Sequence, residues 1–231
     1  MKRNILILGI VFLQVIFCKA QNFNYSFVKQ NQSYTNLADS SLTALNDNQV
    51  WDDNTYLIPI GFSFQFAGQS FDSLKVRTNG TITFDSNNKF NFVCLYKNFI
   101  CDVNSEGVSQ SPINKELVVL PNGNKQLRIE FKNVFFMTTS GLKKHTNFQI
   151  WLTQGDNSIE FHMGDSDSSI GNENFVFGLI NMNPSPSNST IAYLISGDPT
   201  APVASSISFG VNLVHLLTIP PSGTTYIFTA N

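Results

Sequence analysis

Glu130 and Glu160 sit in two copies of one short phrase, Ile129-Glu130-Phe131 and Ile159-Glu160-Phe161, and they are the one carboxylate pair in the chain placed for acid–base work. Hydrolysis of a glycosidic bond needs two acids about 5–10 Å apart and leaves no local signature. Both residues interrupt an apolar alternation and so point off the core face, where the ordinary reading is two solvated strand carboxylates. Arg128, Gln149, Trp151 and His162 accompany them. An indole stacks on a pyranose face while Gln, Glu, His and Arg bond its hydroxyls, so the group reads as a sugar platform. The competing reading is an indole that only covers part of a sheet, shielded by the stems of Arg128 and Lys132 or by residues 30–54.

Other chemistry is missing from the sequence. There is no His-Glu-x-x-His, no Gly-x-Ser-x-Gly and no phosphate-cradling glycine loop, and His145, His162 and His215 lack metal-ligand spacing. No catalytic residue, cofactor or metal ligand is assigned. Asp102-Val103-Asn104-Ser105-Glu106-Gly107 matches the start of a calcium loop, but Ile113 stands at the twelfth position, so the EF-hand reading fails. Gly164-Asp165-Ser166-Asp167-Ser168 and Asp52-Asp53 are further oxygen-rich loops, of the kind that turn chemistry alone explains.

The elements that must carry these residues are strands. Apolar residues recur with period two, and Gly, Asn, Pro, Asp and Ser punctuate the runs. Ile58, Ile60, Phe62, Phe64 and Phe66 predict a strand with one buried face, ending at Ala67-Gly68-Gln69. At Asn79-Gly80 a type I turn with Gly80 as a left-handed bulge sets Val76 opposite Ile82 and Leu74 opposite Phe84, which facing parity requires. A meander follows over 117–120, 127–136, 148–153 and 158–163. Its register sets Leu152 opposite Ile159, Ile150 opposite Phe161 and Phe148 opposite Met163, and those six are core. The intervening residues then face outward, with Trp151 opposite Glu160 and Gln149 opposite His162, joined by Arg128, Glu130 and Lys132 if their strand is adjacent. Further strands are predicted over 175–180, 191–195 and 225–229, with a loop at 183–187. Residues 30–54 read as a polar surface connection pinned by Val50 and Trp51. About ten or more short strands at this spacing predict an all-β fold, an antiparallel β-sandwich of two packed sheets, jelly-roll-like, in one domain over 21–231.

Location follows from the first twenty residues. Lys2 and Arg3 precede a thirteen-residue apolar run from Ile5 to Phe17, and Cys18-Lys19-Ala20 leads to Gln21, the pattern of a secretory signal cleaved after Ala20. Phe17 before Cys18 disfavours lipidation at that cysteine, which wants a small residue there. The run falls short of the roughly 20 residues that span a membrane, so the mature chain is expected not to be membrane-spanning. Its removal takes three basic and no acidic residues, moving the formal charge from -2 to about -5. With 42% hydrophobic and 13% charged residues among 231, the composition excludes a disordered chain, and the acidic balance excludes nucleic acid as a partner. In an oxidising compartment Cys94 and Cys101, spaced C-x6-C, are expected to form a disulfide.

One resemblance is carried by these residues. Trp51-Asp52-Asp53, Ile58 to Phe64, Thr78 to Phe84, Phe148 to Leu152 and Ile159 to His162 resemble the β-rich module of secreted Bacteroidota proteins, and around Asn79-Gly80 nidogen-like extracellular domains. Many such proteins carry a sorting domain for type IX secretion, and no such domain is read in this sequence. The resemblance implies an extracellular β-sandwich and little chemistry. The expected function is a non-catalytic binding or adhesion module, secreted or periplasmic, in the cell envelope or extracellular space, whose partner is a glycan or a cell-surface protein. A glycan-active hydrolase and a structural envelope protein without a small ligand are the alternatives.

Overall fold

The computed structural model describes residues 23–37, 43–84, 90–96, 100–105, 107–137, 143–167, 175–181, 191–208 and 214–231. The leader, with Cys18 and the cleavage point after Ala20, lies outside the described residues, as does the loop at 183–187. Among the described residues the chain is all-β, and no helix is long and apolar enough to cross a membrane.

The strands, numbered in chain order, form two large sheets. The first has the order β1 (Tyr25–Asn31), β17 (Thr224–Ala230), β13 (Ile159–Ser166), β12 (Lys143–Thr153), β11 (Lys125–Met137), β10 (Ile113–Val119) and β2 (Thr43–Ala44), with β7 (Ile100–Cys101) also on β11. The second runs β16 (Val203–Ser208), β15 (Ile191–Ser196), β14 (Val176–Asn181), β6 (Phe90–Tyr96), β5 (Thr81–Thr83), β4 (Gln69–Arg77) and β3 (Thr55–Phe66). A small hairpin joins β8 (Asn104–Ser105) to β9 (Val108–Ser109). Ladders between these strands are antiparallel. The chain runs in meanders within each sheet, β3 to β6 and β14 to β16 in one and β10 to β13 in the other, where a jelly roll would switch sheets at each step.

Side-chain alternation explains the sandwich. Along β3 the inward set Ile58, Ile60, Phe62, Phe64 and Phe66 is buried and the residues between are exposed. Val76 stands opposite Ile82, and the Arg77 carbonyl accepts the N–H of Gly80, whose φ is 80°, so the bulged turn forms as facing parity demands. In the meander Leu152 pairs with Ile159, Ile150 with Phe161 and Phe148 with Met163, and all six are buried. These inward residues meet the β3 set in one apolar cluster between the sheets, with Phe131 stacked on Phe148 at 4.6 Å. Each such side chain contributes about 1.5–3 kcal/mol by leaving water.

Several expectations need correction. Gln30 and Asn31 end an edge strand, β1, and β2 pairs with β10 over two residues, so 30–54 is more than a surface connection. Trp51 pins it, 3% exposed, with its indole N–H on the Ser111 carbonyl, whereas Val50 is 40% exposed. Gly164, Asp165 and Ser166 extend β13 instead of forming a loop. Strands β1, β6 and β16 carry no prediction; β1 and β16 are edges that bury little, so period two is faint in them. Cys94 lies in β6 of the second sheet and Cys101 in β7 of the first, and the Cys94 side chain is outside the described residues, as is the bridge expected there.

Candidate functional site

Because β10, β11, β12 and β13 are neighbours in register, their outward residues fall into two rows across the first sheet. One row runs Glu116, Arg128, Trp151, Glu160; the next runs Asn114, Glu130, Gln149, His162 and, on β17, Thr225. Arg128 and Glu130 thus join the outer face as expected. Lys132 sits where the β11–β12 register shifts, between Phe131 and Val134, and lines no part of the cleft described below.

The second row is buried although polar: Asn114 4%, Glu130 0%, Gln149 1% and His162 4% exposed. Burying a carboxylate without partners costs several kcal/mol, so a donor set must meet Glu130. Residues 32–37 supply half of it by crossing the face as a strap. Glu130 Oε1 accepts the Leu37 backbone N–H at 3.1 Å, the Tyr34 hydroxyl at 3.3 Å and Gln149 Nε2 at 2.9 Å, while Oε2 accepts Asn114 Nδ2 at 3.2 Å. Gln149 Nε2 also donates to the Thr35 carbonyl at 2.9 Å. Tyr34 lies on Gly164, where a Cβ would stand 2.8 Å from its ring. Burial, and then the charge of Glu130, pushes the Tyr34 phenol far above its ordinary range. The solvated-carboxylate reading of Glu130 is therefore overturned.

Trp151 stands between two partners. The Arg128 guanidinium lies 4.0 Å from the indole centroid, arriving from β11, and the His162 ring stacks at 3.7 Å and 27°, arriving from β13 on the other flank. Its indole N–H donates to Gln149 Oε1 at 2.8 Å. The ring faces are engaged by protein, so a ligand meets the guanidinium and the indole edge. Arg128 Nε donates to Gln126 Oε1 at 2.7 Å, and its Nη1 is 4.0 Å from Glu116 Oε2. Burial holds the Arg128 guanidinium below its ordinary pKa, against the opposing pull of Glu116 and Glu160.

Between strap and sheet is a cleft of about 260 Å³ lined by Gln32 to Leu37 and by Glu116, Arg128, Gln149, Trp151 and His162. Of the residues singled out from sequence, Arg128, Gln149, Trp151 and His162 line it, Glu160 bonds His162 Nε2 at 2.9 Å, and Glu130 lies beneath. Sequence reasoning missed Glu116, and it named residues 30–54 only as a possible shield over Trp151, without the strap's bonds to Glu130 and Gln149. The register signal that found Trp151 and Glu160 extends to Glu116 once β10 is paired with β11; the strap has no such signal.

Two arrangements look catalytic. Thr225 Oγ1, His162 Nδ1 and Nε2, and Glu160 Oε2 follow one another at 3.3 and 2.9 Å, the order of a nucleophile, base and acid, but the Thr225 side chain is fully buried. Glu130 and Glu160 stand two strands and one pleat repeat apart, about 12 Å between backbones at ~4.8 Å per strand. Among the described residues no three His, Cys, Asp or Glu side chains group as metal ligands. Asp102 spends its carboxylate on the Trp51 N–H and the Ser109 hydroxyl.

A protein-family model described as NIDO related matches residues 24–107. No curated protein and no solved structure matches the chain. The matched part, similar to a nidogen-like, extracellular-type module, holds the strap and strands β1 to β8. Arg128, Gln149, Trp151 and His162 lie beyond it, so the cleft joins a strap from the matched part to a meander outside it.

Proposed function

We propose that the chain is an exported, non-catalytic binding module of the cell envelope or extracellular space, with its signal removed after Ala20, and that it binds a glycan in the cleft between the strap and the outer face of the first sheet. The observation that carries the reading is the convergence of a guanidinium, an indole edge, an imidazole and a row of amides and hydroxyls on one small concavity, the composition of a polar-ligand site. The likeness of residues 24–107 to an extracellular-type module supports the location.

The hydrolase alternative is disfavoured by geometry. Glu130 is fully buried beneath the strap, and its two oxygens are taken by four donors, which keeps it from a substrate's scissile bond. A structural envelope protein without a small ligand is favoured by one observation, the engagement of both flanks of Trp151 by Arg128 and His162.

A glycan array run beside a reducing-sugar release assay on the mature protein separates these readings. Binding without turnover is expected. The Trp151→Ala variant should lose retention on the preferred glycan while its thermal midpoint stays within about 5 °C, as for a partly exposed site. A blank array with capture of the protein by envelope extract would overturn glycan binding.

A further inference from the structure

We propose that the cleft takes one carboxylated sugar residue of the uronic-acid type, with its carboxylate on Arg128 and its hydroxyls toward the strap. The inference rests on the glycan reading above and names its ligand class.

The cation is the first argument. Arg128 spends Nε on a neutral amide, and among the described residues no carboxylate oxygen lies within hydrogen-bond distance of its terminal nitrogens, Glu116 being 4.0 Å away. Glu160 is committed to His162 and Glu130 to its four donors. The guanidinium lies over the Trp151 ring with its Nε held by Gln126, and its terminal N–H groups, which meet no carboxylate within hydrogen-bond distance among the described residues, form a fork that matches a carboxylate with two parallel bonds. Burial lowers the guanidinium's pKa against the pull of Glu116 and Glu160, the two carboxylates with which a ligand must compete.

The remaining walls set the rest of the ligand. With the indole faces engaged, little stacking on a sugar ring is available, so affinity must come from charge-assisted hydrogen bonds. Across from Arg128, the strap presents Gln32, Ser33, Thr35 and Asn36, all neutral and all suited to hydroxyls. About 260 Å³ lies under the roughly 300 Å³ floor for drug-sized pockets and is enough for one ring. A mature charge near -5 repels polyanions, so a single acidic residue is read, not a run of them.

Calorimetric titration of the mature protein with glucuronate, galacturonate, methyl glucuronate ester and glucose tests this. At least one acid should bind about tenfold or more tightly than the ester and glucose, with affinity falling as salt rises. Arg128→Gln should remove that preference, and Glu116→Gln, which deletes the competing charge, should sharpen it. The wild-type comparison of acid with ester needs no variant to fold. Equal binding of ester, glucose and acid, or neutral glycans alone, overturns the carboxylate inference and leaves the glycan reading standing. Binding of neither acid together with a blank array overturns both.

Discussion

The Glu130 carboxylate accepts the backbone N–H of Leu37 at 3.1 Å, joining positions 93 residues apart in the chain. That bond, with those from Tyr34 and Gln149, turns a patternless segment into one wall of the cleft. Four donors converge on one buried acid, so its replacement has a direction that can be stated.

Glu130→Gln keeps the shape and turns one acceptor oxygen into an amino group, which then faces a donor, Asn114 Nδ2 or the Leu37 N–H. A buried donor against a donor costs about 1–3 kcal/mol. Urea unfolding should show that loss, and hydrogen exchange should quicken at the Leu37 amide before it does at Ile150. Unchanged exchange at Leu37 would remove Glu130 as the anchor of the strap.

Gly164→Ala tests the other anchor. A Cβ there would stand 2.8 Å from Tyr34 Cε1 and 2.9 Å from Asn147 Cβ, so the ring must shift. Overpacking of this kind costs about 1–3 kcal/mol. Combining it with Tyr34→Ala should recover part of the loss, because the clash vanishes with the ring; full additivity of the two substitutions in thermal melts would refute the contact.

Alkaline pH should weaken the fold through its buried phenols. Burial pushes Tyr25 up to about 12 from 10, with the Ala67 N–H acting in the opposite direction, and shifts Tyr34 the same way. A raised phenol pKa means that the folded state resists deprotonation. Its stabilisation is whole below pH 10 and is lost as pH climbs from 10 through about 12, amounting to about 2–3 kcal/mol for Tyr25. Urea midpoints measured from pH 8 to 12 should fall over that interval, and Tyr25→Phe should flatten the fall.

Export and the disulfide are checked together on secreted protein. Intact mass should place the first residue at Gln21, and titration of the unfolded, unreduced chain should find no thiols at Cys94 and Cys101. A diacylated species beginning at Cys18 would replace the cleaved-signal reading, and two thiols per chain would remove the bridge.

Strong side-chain alternation specifies most of the strands, and short turns specify their pairings. Leu152 meets Ile159 across the five-residue connection between β12 and β13, so hydrophobic parity leaves one register, and that register alone puts Trp151 beside Glu160 and Gln149 beside His162 on the outward face. What no local pattern could decide is what covers that face. Glu130 and Glu160 occupy identical Ile-Glu-Phe phrases, yet one is fully buried and the other is partly exposed beside His162, because the strap closes over Glu130 and Gln149 in the second row and not over the Glu160 end of the first. The strap has no period, and its course depends on single hydrogen bonds between residues roughly a hundred positions apart. Edge strands β1 and β16 stayed illegible for a related reason: a strand with one neighbour and little buried area is specified by backbone pairing, which leaves almost no trace in side-chain choice.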